Sequence, residues 1–334
     1  MDWNKGYSAM YYVSIVDRHT WRDIDRIEIT GGSIKRTMTD LRESASINCV
    51  NYSSNKEQLI RVWLDARQEG SSSHTPLFTG LATSPGKDIS GTLVSNSLEC
   101  YSILKIASDI LLPRGWYAPA EANGGRLIEN LLKVTGAPIS ISENSPGLKN
   151  AIIAESGENH LSMADKILDA IGWRMKLNGY GHISVEPIKR DSVASFDSLN
   201  NDVIEPSLKI TYDWYECPNI YRAVYGNSSA VARDDSIGSP YSTVNRGREV
   251  WVEDTNVHLN NEEILAEYAN RMLKEAQRVS SQISYSRRFD PDVNVTDVVT
   301  LSYPEQGIGG NFLITNQAID LSYGAKTSEE VLGI

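Results

Sequence analysis

Residues 59–66 read Leu-Ile-Arg-Val-Trp-Leu-Asp-Ala, and from Ile60 onward the run has the period of two that is typical of a half-buried β-strand. Shorter runs of this kind occur at 27–29 and 45–49, and further strand-like runs occur at 77–83 and 91–100. Strands at such close spacing predict a small β-barrel or sandwich over residues 21–100.

Glycine and serine residues mark the predicted breaks between these strands. Gly31-Gly32 is predicted as a turn, and the stretch from Gly70 to Ser73 is predicted as a turn or an exposed loop.

From about residue 101 the pattern changes to α+β. Asn123 precedes an amphipathic helix, and a second helix is predicted to begin at Ser162 and to end at Gly172. Residues 173–177 then alternate, Asn178-Gly179 turns the chain, and the alternation returns at 183–185. This pattern predicts a β-hairpin.

The last third of the chain returns to strands. Residues 186–205 are polar and predict a linker, and strands are predicted at 207–215 and 220–225. Residues 226–247 predict a long exposed loop.

A long helix is then predicted over 261–279, with Asn260 and Glu263 as its N-cap signature. The strands predicted after it are 282–287, 298–303, 312–315 and 319–323.

These patterns predict an α+β, mainly β chain of three units. Residues 1–110 and 206–334 are predicted as two tube-like β-barrel or sandwich domains, the second with one long helix. Residues 111–205 are predicted as an α+β insert with its linker. The two β units show no residue-level repeat, and only their patterns are similar.

Composition and charge exclude several classes of function. The 334 residues carry a net charge of −11, and residues 206–334 hold 11 basic and 18 acidic side chains. A reader of duplex DNA normally carries a basic face, which this composition does not predict. The sequence shows no stretch of the length that a bilayer span needs, and the N-terminus does not resemble a signal peptide. Three cysteines are too few for a disulfide framework, so synthesis in a reducing cytoplasm is expected.

The sequence offers no catalytic, cofactor-binding or metal-binding residues. The five histidines have no metal-ligand spacing, and no nucleophile elbow or phosphate loop occurs. Gly307–Gly310 is predicted as a β-hairpin loop rather than a dinucleotide loop. Residues 290–294 imitate a calcium loop, but Val295 and Leu301 replace its glycine and its closing glutamate, so a solvated turn is expected. No enzyme activity and no cofactor are predicted.

Several stretches together resemble the tail hub or baseplate hub proteins of bacteriophages and related contractile particles. The strand at 59–64 and the Phe-x-Gly turn at 78–80 resemble that family's first tube-like domain, and the hairpin at 173–185 is similar to part of its second domain. Residues 289–301 look like the family's return strand, with Thr296 where its turn glycine is usual, and residues 310–324 fit its end.

The resemblance implies a structural virion protein, made in the cytoplasm of a bacterial host and located at the tail tip or baseplate. Such hubs are trimers whose two tube-like domains make a pseudo-sixfold ring, which joins a sixfold tail tube to a threefold tip or spike. The implied partners are two further copies, the tail tube or distal tail protein, the tape measure protein and the tip or spike protein. DNA would pass without specific binding along an acidic wall, and the chain would not insert into a membrane.

Two alternatives stay open from sequence. A carbohydrate-binding or adhesin β module would use exposed tyrosines and tryptophans to bind a glycan as a monomer. A cell-wall hydrolase without a recognisable motif would lose turnover when one acidic residue is changed.

Overall fold

The structure is a computed structural model, and it describes the chain except for residues 4, 51, 53, 55, 91–92, 198–207, 213, 216, 226–227, 256, 258–264, 280 and 323–325. The described part is mainly β, which confirms the predicted fold class. None of the helices in these described ranges is long and apolar enough to cross a membrane.

The first β unit is a circuit of six strands. They are β1 (Ser8–Val16), β2 (Asp23–Thr37), β3 (Glu43–Cys49), β4 (Gln58–Gln68), β5 (Ser71–Ser90) and β6 (Leu93–Ser102). The pairing order is β1-β4-β5-β6-β3-β2, and β2 also pairs with β1, so the circuit closes on itself. The closed circuit surrounds an apolar core that includes Val13, Ile34, Ile60 and Phe78.

Two predicted breaks in this unit are wrong. Gly31-Gly32 lies inside β2, where the register against β3 shifts, rather than in a turn. A Cβ on Gly32 would overlap the carbonyl oxygen of Ser46, so only glycine allows this close approach of β2 to β3. The Phe-x-Gly segment at 78–80, which the resemblance gave as a turn, lies in the middle of β5. The turn predicted at 70–73 is present at Gly70, between β4 and β5, but it is shorter than predicted because β5 starts at Ser71.

The insert between the β units has its own small core. Its elements are α1 (Leu104–Asp109), β7 (Tyr117–Ala118), α2 (Gly124–Leu132), β8 (Ile139–Ile141), β9 (Ile152–Ile153), α3 (His160–Ile171), β10 (Trp173–Leu177) and β11 (Ile183–Pro187). Asn123 caps α2 as predicted. Helix α3 begins two residues before the predicted Ser162, because the side chain of Asn159 accepts the N–H of Ser162 and is the N-cap. The predicted hairpin is confirmed as β10 and β11.

The structure describes six strands in the second β unit. They are β12 (Ser192–Asp197), β13 (Lys209–Tyr212), β17 (Ser281–Arg288), β18 (Val298–Tyr303), β19 (Ile308–Asp320) and β20 (Lys326–Gly333). The prediction of a linker is wrong over β12, because this strand pairs with β18. The two strands predicted at 312–315 and 319–323 are one strand, β19, which ends at Asp320, and residue 323 lies outside the described residues. Of the loop predicted at Gly307–Gly310, only Gly307 lies in the turn, and the other three residues belong to β19. The predicted domain boundaries at 110 and 205 stay a prediction.

A second insert lies between β13 and β17. It contains β14 (Ile220–Tyr225), β15 (Ser228–Arg233), α4 (Thr243–Arg246), β16 (Trp251–Asp254) and α5 (Leu265–Val279), with α5 packed on β14 and β15. The long loop predicted at 226–247 is therefore wrong, since it holds β15 and α4. The long helix is confirmed to its predicted end at Val279, whereas its predicted N-cap lies outside the described residues.

The two β units share most of their strand pairings in the same chain order. The antiparallel pairs β2–β3, β3–β6, β4–β5 and β5–β6 recur as β13–β17, β17–β20, β18–β19 and β19–β20. The long strand of each unit also shifts register at a threonine, Thr83 in β5 and Thr315 in β19. The units differ at their first strand, since β12 pairs with β18 in parallel whereas β1 pairs with β4 antiparallel.

The tip of the β10–β11 hairpin docks on the first β unit at Gly179. Thr79 donates its hydroxyl to the carbonyl oxygen of Gly179 at 2.7 Å, and Arg61 Nε donates to the same hydroxyl at 2.9 Å. A Cβ on Gly179 would overlap the carbonyl oxygen of Pro76, so the two backbones meet here without room for a side chain.

We expect Gly179→Ala to lower the free energy of unfolding by about 2–3 kcal/mol, because the hairpin must move off β5 and lose these hydrogen bonds. Gly309→Ala is the matched control, since a Cβ there meets nothing within 4 Å. Chemical denaturation measures both variants. Equal stability of the two variants would contradict the docking role of Gly179.

Candidate interaction surface

The two β units are joined into one sheet by the pairing of β2 with β19. Residues Ser33–Thr37 of β2 run antiparallel to residues Asn316–Asp320 of β19, a contact that we call the joint. The joint uses the part of β2 beyond its pairing with β1, and the part of β19 beyond its pairing with β18. It therefore makes a single 12-stranded sheet of both units.

A row of buried polar side chains lies under the joint, which we call the buried ladder. It consists of Glu43, Arg36, Gln317, Glu329 and Arg287 on β3, β2, β19, β20 and β17. Arg36 Nη1 donates to Gln317 Oε1 at 3.0 Å, and Gln317 Nε2 donates to Glu329 Oε1 at 2.8 Å. Each link crosses from one strand to its neighbour, so the ladder continues through the joint from one β unit to the other.

The far end of the ladder is a fully buried ion pair. Arg287 donates from Nη2 to Glu329 Oε1 at 2.6 Å and from Nε to Glu329 Oε2 at 2.9 Å, and both side chains have 0% exposure. Two parallel bonds between a guanidinium and a carboxylate make a geometrically specific contact. The pair therefore favours one register of β17 against β20.

At the near end of the ladder, the carboxyl group of Glu43 is buried without a full set of hydrogen bonds among the described residues. Arg36 Nε lies 2.9 Å from Glu43 Oε1, yet Glu43 Oε2 is buried and has no hydrogen-bond partner within the described part of the chain. Burial raises the pKa of Glu43 to about 7, although the charge of Arg36 opposes this shift. Arg36 also donates to Asn294 Oδ1 at 2.7 Å and to the carbonyl oxygen of Leu77 at 2.6 Å.

The insert contacts the second β unit beside the joint. Thr296 has a φ of +71°, a left-handed conformation that costs an L-residue about 1–2 kcal/mol and that glycine adopts freely. Arg174 of β10 donates to both the carbonyl oxygen and the hydroxyl of Thr296, and it pairs with Glu186 at 2.7 Å. Thr296, at the position where the resemblance implies a glycine, thus has the left-handed backbone conformation that glycine favours.

The opposite, exposed side of the joint is polar and rich in serine. Cross-strand neighbours place Ser44, Lys35, Ala318, Ser328 and Ser286 in one row, and a second row holds Glu99, Ser46, Ser33 and Asp320. We call this side the polar face. Its charged residues among those the structure describes are of both signs: Lys35, Lys209, Arg288 and Lys326 against Glu99, Asp320 and Glu330. The polar face therefore shows no excess of acid.

The cysteines, histidines and acidic residues considered as candidates for a catalytic or metal site do not form one cluster in the described part of the chain. Cys49, Cys100 and Cys217 are buried, and burial raises the pKa of the Cys49 thiol. His258 lies outside the described residues. Across the described ranges, no group of three or more His, Cys, Asp or Glu residues is placed to hold a metal ion. The backbone N–H of Val293 donates to the carbonyl oxygen of Asp290 at 3.3 Å, which closes a turn in the segment that imitates a calcium loop.

One histidine has a setting that the sequence did not indicate. His74 lies on β5, and its half-exposed ring stacks on Trp63 with ring centroids 4.1 Å apart. Its Nδ1 lies 2.5 Å from Asp65 Oδ1, and the ring of Tyr12 lies nearly parallel to that of Trp63 with centroids 6.4 Å apart. Trp63 is only 6% exposed as a result, so it offers no free ring for a sugar.

An open cavity of about 530 Å³ lies where the first β unit, the hairpin and the 289–296 segment meet. Its lining includes Arg36, Glu43 and Gly179, and the lining residues include neither histidine nor cysteine. The cavity therefore belongs to the contact between units, and its lining resembles no nucleophile or metal site.

The fold is that of phage tail proteins. A tail protein from Neisseria meningitidis MC58 has a TM-score of 0.71 at 15% identity, covering 98% of this chain and 97% of that chain. The 43 kDa tail protein of prophage MuSo2 from Shewanella oneidensis has a TM-score of 0.72 at 12% identity, covering 98% of each chain. A Francisella PdpA-VgrG complex has a TM-score of 0.56 at 9% identity, covering 98% of this chain and 58% of that chain.

These solved structures agree with the resemblance predicted from sequence. No protein-family profile and no curated protein matches the chain.

Proposed function

We propose that the chain is a structural tail protein of a bacteriophage or a related contractile particle and that it forms a trimeric hub. The observation that carries this proposal is the joint: two related β units lie side by side in one sheet. The contact is between different edges of the two units, β2 on one and β19 on the other. Contacts between different edges generate rings when the rotation closes.

In this proposal three copies place six β units around a channel. Such a ring matches a sixfold tail tube on one side and a threefold tip or spike on the other. Its further partners are the tape measure protein and the distal tail protein, and the chain is made in the bacterial cytoplasm before it enters the virion.

The polar face is the surface we assign to the channel. Its serines offer hydroxyl groups, and its four basic residues exceed its three acidic residues by only one, so it lacks the large cationic excess that holds DNA phosphates. This wall is nearly neutral rather than acidic, which revises the reason for weak adhesion. The acidic excess of residues 206–334 then lies mainly on other surfaces.

Solved structures of similar fold are described as tail proteins, which supports this role. Electron microscopy of tail particles that contain the chain tests the proposal. We expect a threefold ring at the tail tip. Particles in which the chain is a peripheral monomer, together with saturable glycan binding by the free protein, would favour the adhesin alternative.

A further inference from the structure

The register of the strands aligns the two β units residue by residue. In the first unit Ala82 pairs with Cys100, and Ser84, beyond the bulge, pairs with Glu99. In the second unit Ile314 pairs with Val331, and Asn316 pairs with Glu330. Residues 84–88 of β5 therefore correspond to residues 316–320 of β19, which are the residues that make the joint.

The same alignment continues across the sheet to β13. Glu99 pairs with Ser46, which pairs with Ser33 of β2. At the corresponding places, Glu330 pairs with Ser284, which pairs with Lys209 of β13. Residues 209–212 of β13 therefore correspond to residues 33–36 of β2, the other side of the joint.

Both corresponding segments have one edge without a strand among the described residues. The pairing of β4 with β5 ends at Ala82, so beyond it β5 is paired only with β6. Within the described part of the chain, strand β13 pairs only with β17. Each such edge presents backbone N–H and C=O groups that can pair with another chain.

We propose that β13 of one copy pairs antiparallel with residues 85–88 of β5 in a second copy, repeating the joint between subunits. This proposal rests on the proposed ring and names the surface that closes it. Transfer of the register of the joint sets Lys209 opposite Asp88 and Ile210 opposite Lys87. Thr211 then lies opposite Gly86, and Tyr212 opposite Pro85.

The residue types at these positions are compatible with the pairing. A lysine lies opposite an aspartate at the position where the joint has Ser33 opposite Asp320. Opposite charges at cross-strand positions favour strand pairing. Pro85 has no N–H, so the intersubunit pairing lacks one hydrogen bond of the joint, and proline is a residue that edge strands tolerate.

A disulfide between copies tests the register. In the joint, Leu321 donates its N–H to the carbonyl oxygen of Gly32, so the adjacent pair Ser33 and Asp320 is a non-hydrogen-bonded pair. Cα atoms of such pairs lie about 4.5 Å apart, within the range that a disulfide spans. We expect the Lys209→Cys/Asp88→Cys chain, oxidised in tail particles, to give covalent trimers on a non-reducing gel.

Two control variants accompany this experiment, one positive and one negative. Ser33→Cys/Asp320→Cys places the cysteines across the joint and is expected to close a disulfide within one chain, without any gain in mass. Lys209→Cys/Lys87→Cys moves one cysteine by a single residue, which turns it to the other face of the strand, and is expected to give no cross-link.

The outcomes separate the edge assignment from the hub. A threefold ring in images of the particles, together with no covalent trimer while the Ser33→Cys/Asp320→Cys control closes, would overturn the edge pairing and leave the hub intact. Cross-linking of the Lys87 control as strongly as of the Asp88 chain would also overturn the register. Absence of both the ring and the trimer would overturn the edge pairing and the proposed function together.

Discussion

Glu329→Gln is expected to lower the free energy of unfolding by about 3–5 kcal/mol, the loss usual when one partner of a buried ion pair is removed. The variant keeps the shape of the side chain but leaves the guanidinium of Arg287 buried at 0% exposure without a charged partner. It also disturbs the bond from Gln317 Nε2, which reaches Glu329 Oε1 at 2.8 Å. Chemical denaturation followed by tryptophan fluorescence measures the change.

The matched control is Glu57→Gln, which removes the partner of Arg18. That pair has a similar distance of 2.7 Å, but both side chains are 46% exposed. Exposed pairs contribute about 0–1 kcal/mol, so the control should stay close to the unchanged protein. If both variants lost the same small amount, the buried ladder would not stabilise the sheet as we argue.

The stability of the protein is expected to fall as the pH rises from about 4.5 to about 7, with Glu43 as one cause. The ordinary pKa of this group is 4.5, and burial raises it to about 7 in the folded protein. The folded state thus binds the proton more tightly than the unfolded state. The stabilisation is present at low pH and is lost as the pH rises through 7.

This difference between the folded and unfolded pKa of Glu43 changes the free energy of unfolding by about 3 kcal/mol across that pH range. Burial also raises the pKa values of Asp165, Asp169 and Asp290, and it lowers the pKa of His182, which acts in the opposite direction, so the unchanged protein reports the sum of these groups. Glu43→Gln isolates one group, and we expect a flatter profile in this variant. Denaturant midpoints measured from pH 4.5 to 8 provide the test. Parallel profiles of the two proteins would show that Glu43 does not titrate in this way.

Local features of the fold were predictable because they depend on residues close in sequence. The β10–β11 hairpin follows from alternation on both sides of Asn178, and the end of α3 follows from Gly172. Strand β12, Ser192–Asp197, was missed because it lies within the polar stretch 186–205 and does not alternate strictly between apolar and polar residues. Its pairing with β18 is a contact between residues far apart in the chain, which the sequence pattern does not show.

The relation between the two β units could not be read from residue identities. Residues at corresponding positions differ in chemistry, as with Arg36 and Tyr212 or Gln317 and Pro85. What recurs is the order of pairing and the bulge in the long strand, and pairing is a property of residues far apart in the chain. The second insert between β13 and β17 also separates strands that are adjacent in the first unit.

The joint itself was hidden for a similar reason. Arg36 and Gln317 are 281 positions apart, and charged residues in an alternating strand are normally taken for its solvent side. One signal was present: Arg287 occupies a position where the alternation of β17 calls for an apolar residue. A buried charge of this kind needs a partner, but the sequence does not show that Glu329 is that partner.

Electron microscopy of the tail tip at side-chain resolution tests whether the chain forms the proposed hub. We expect three copies in a closed ring, with the polar face toward the channel and β13 of each copy beside β5 of the next. A ring of another symmetry, or a channel lined by a different face of the chain, would contradict the proposal.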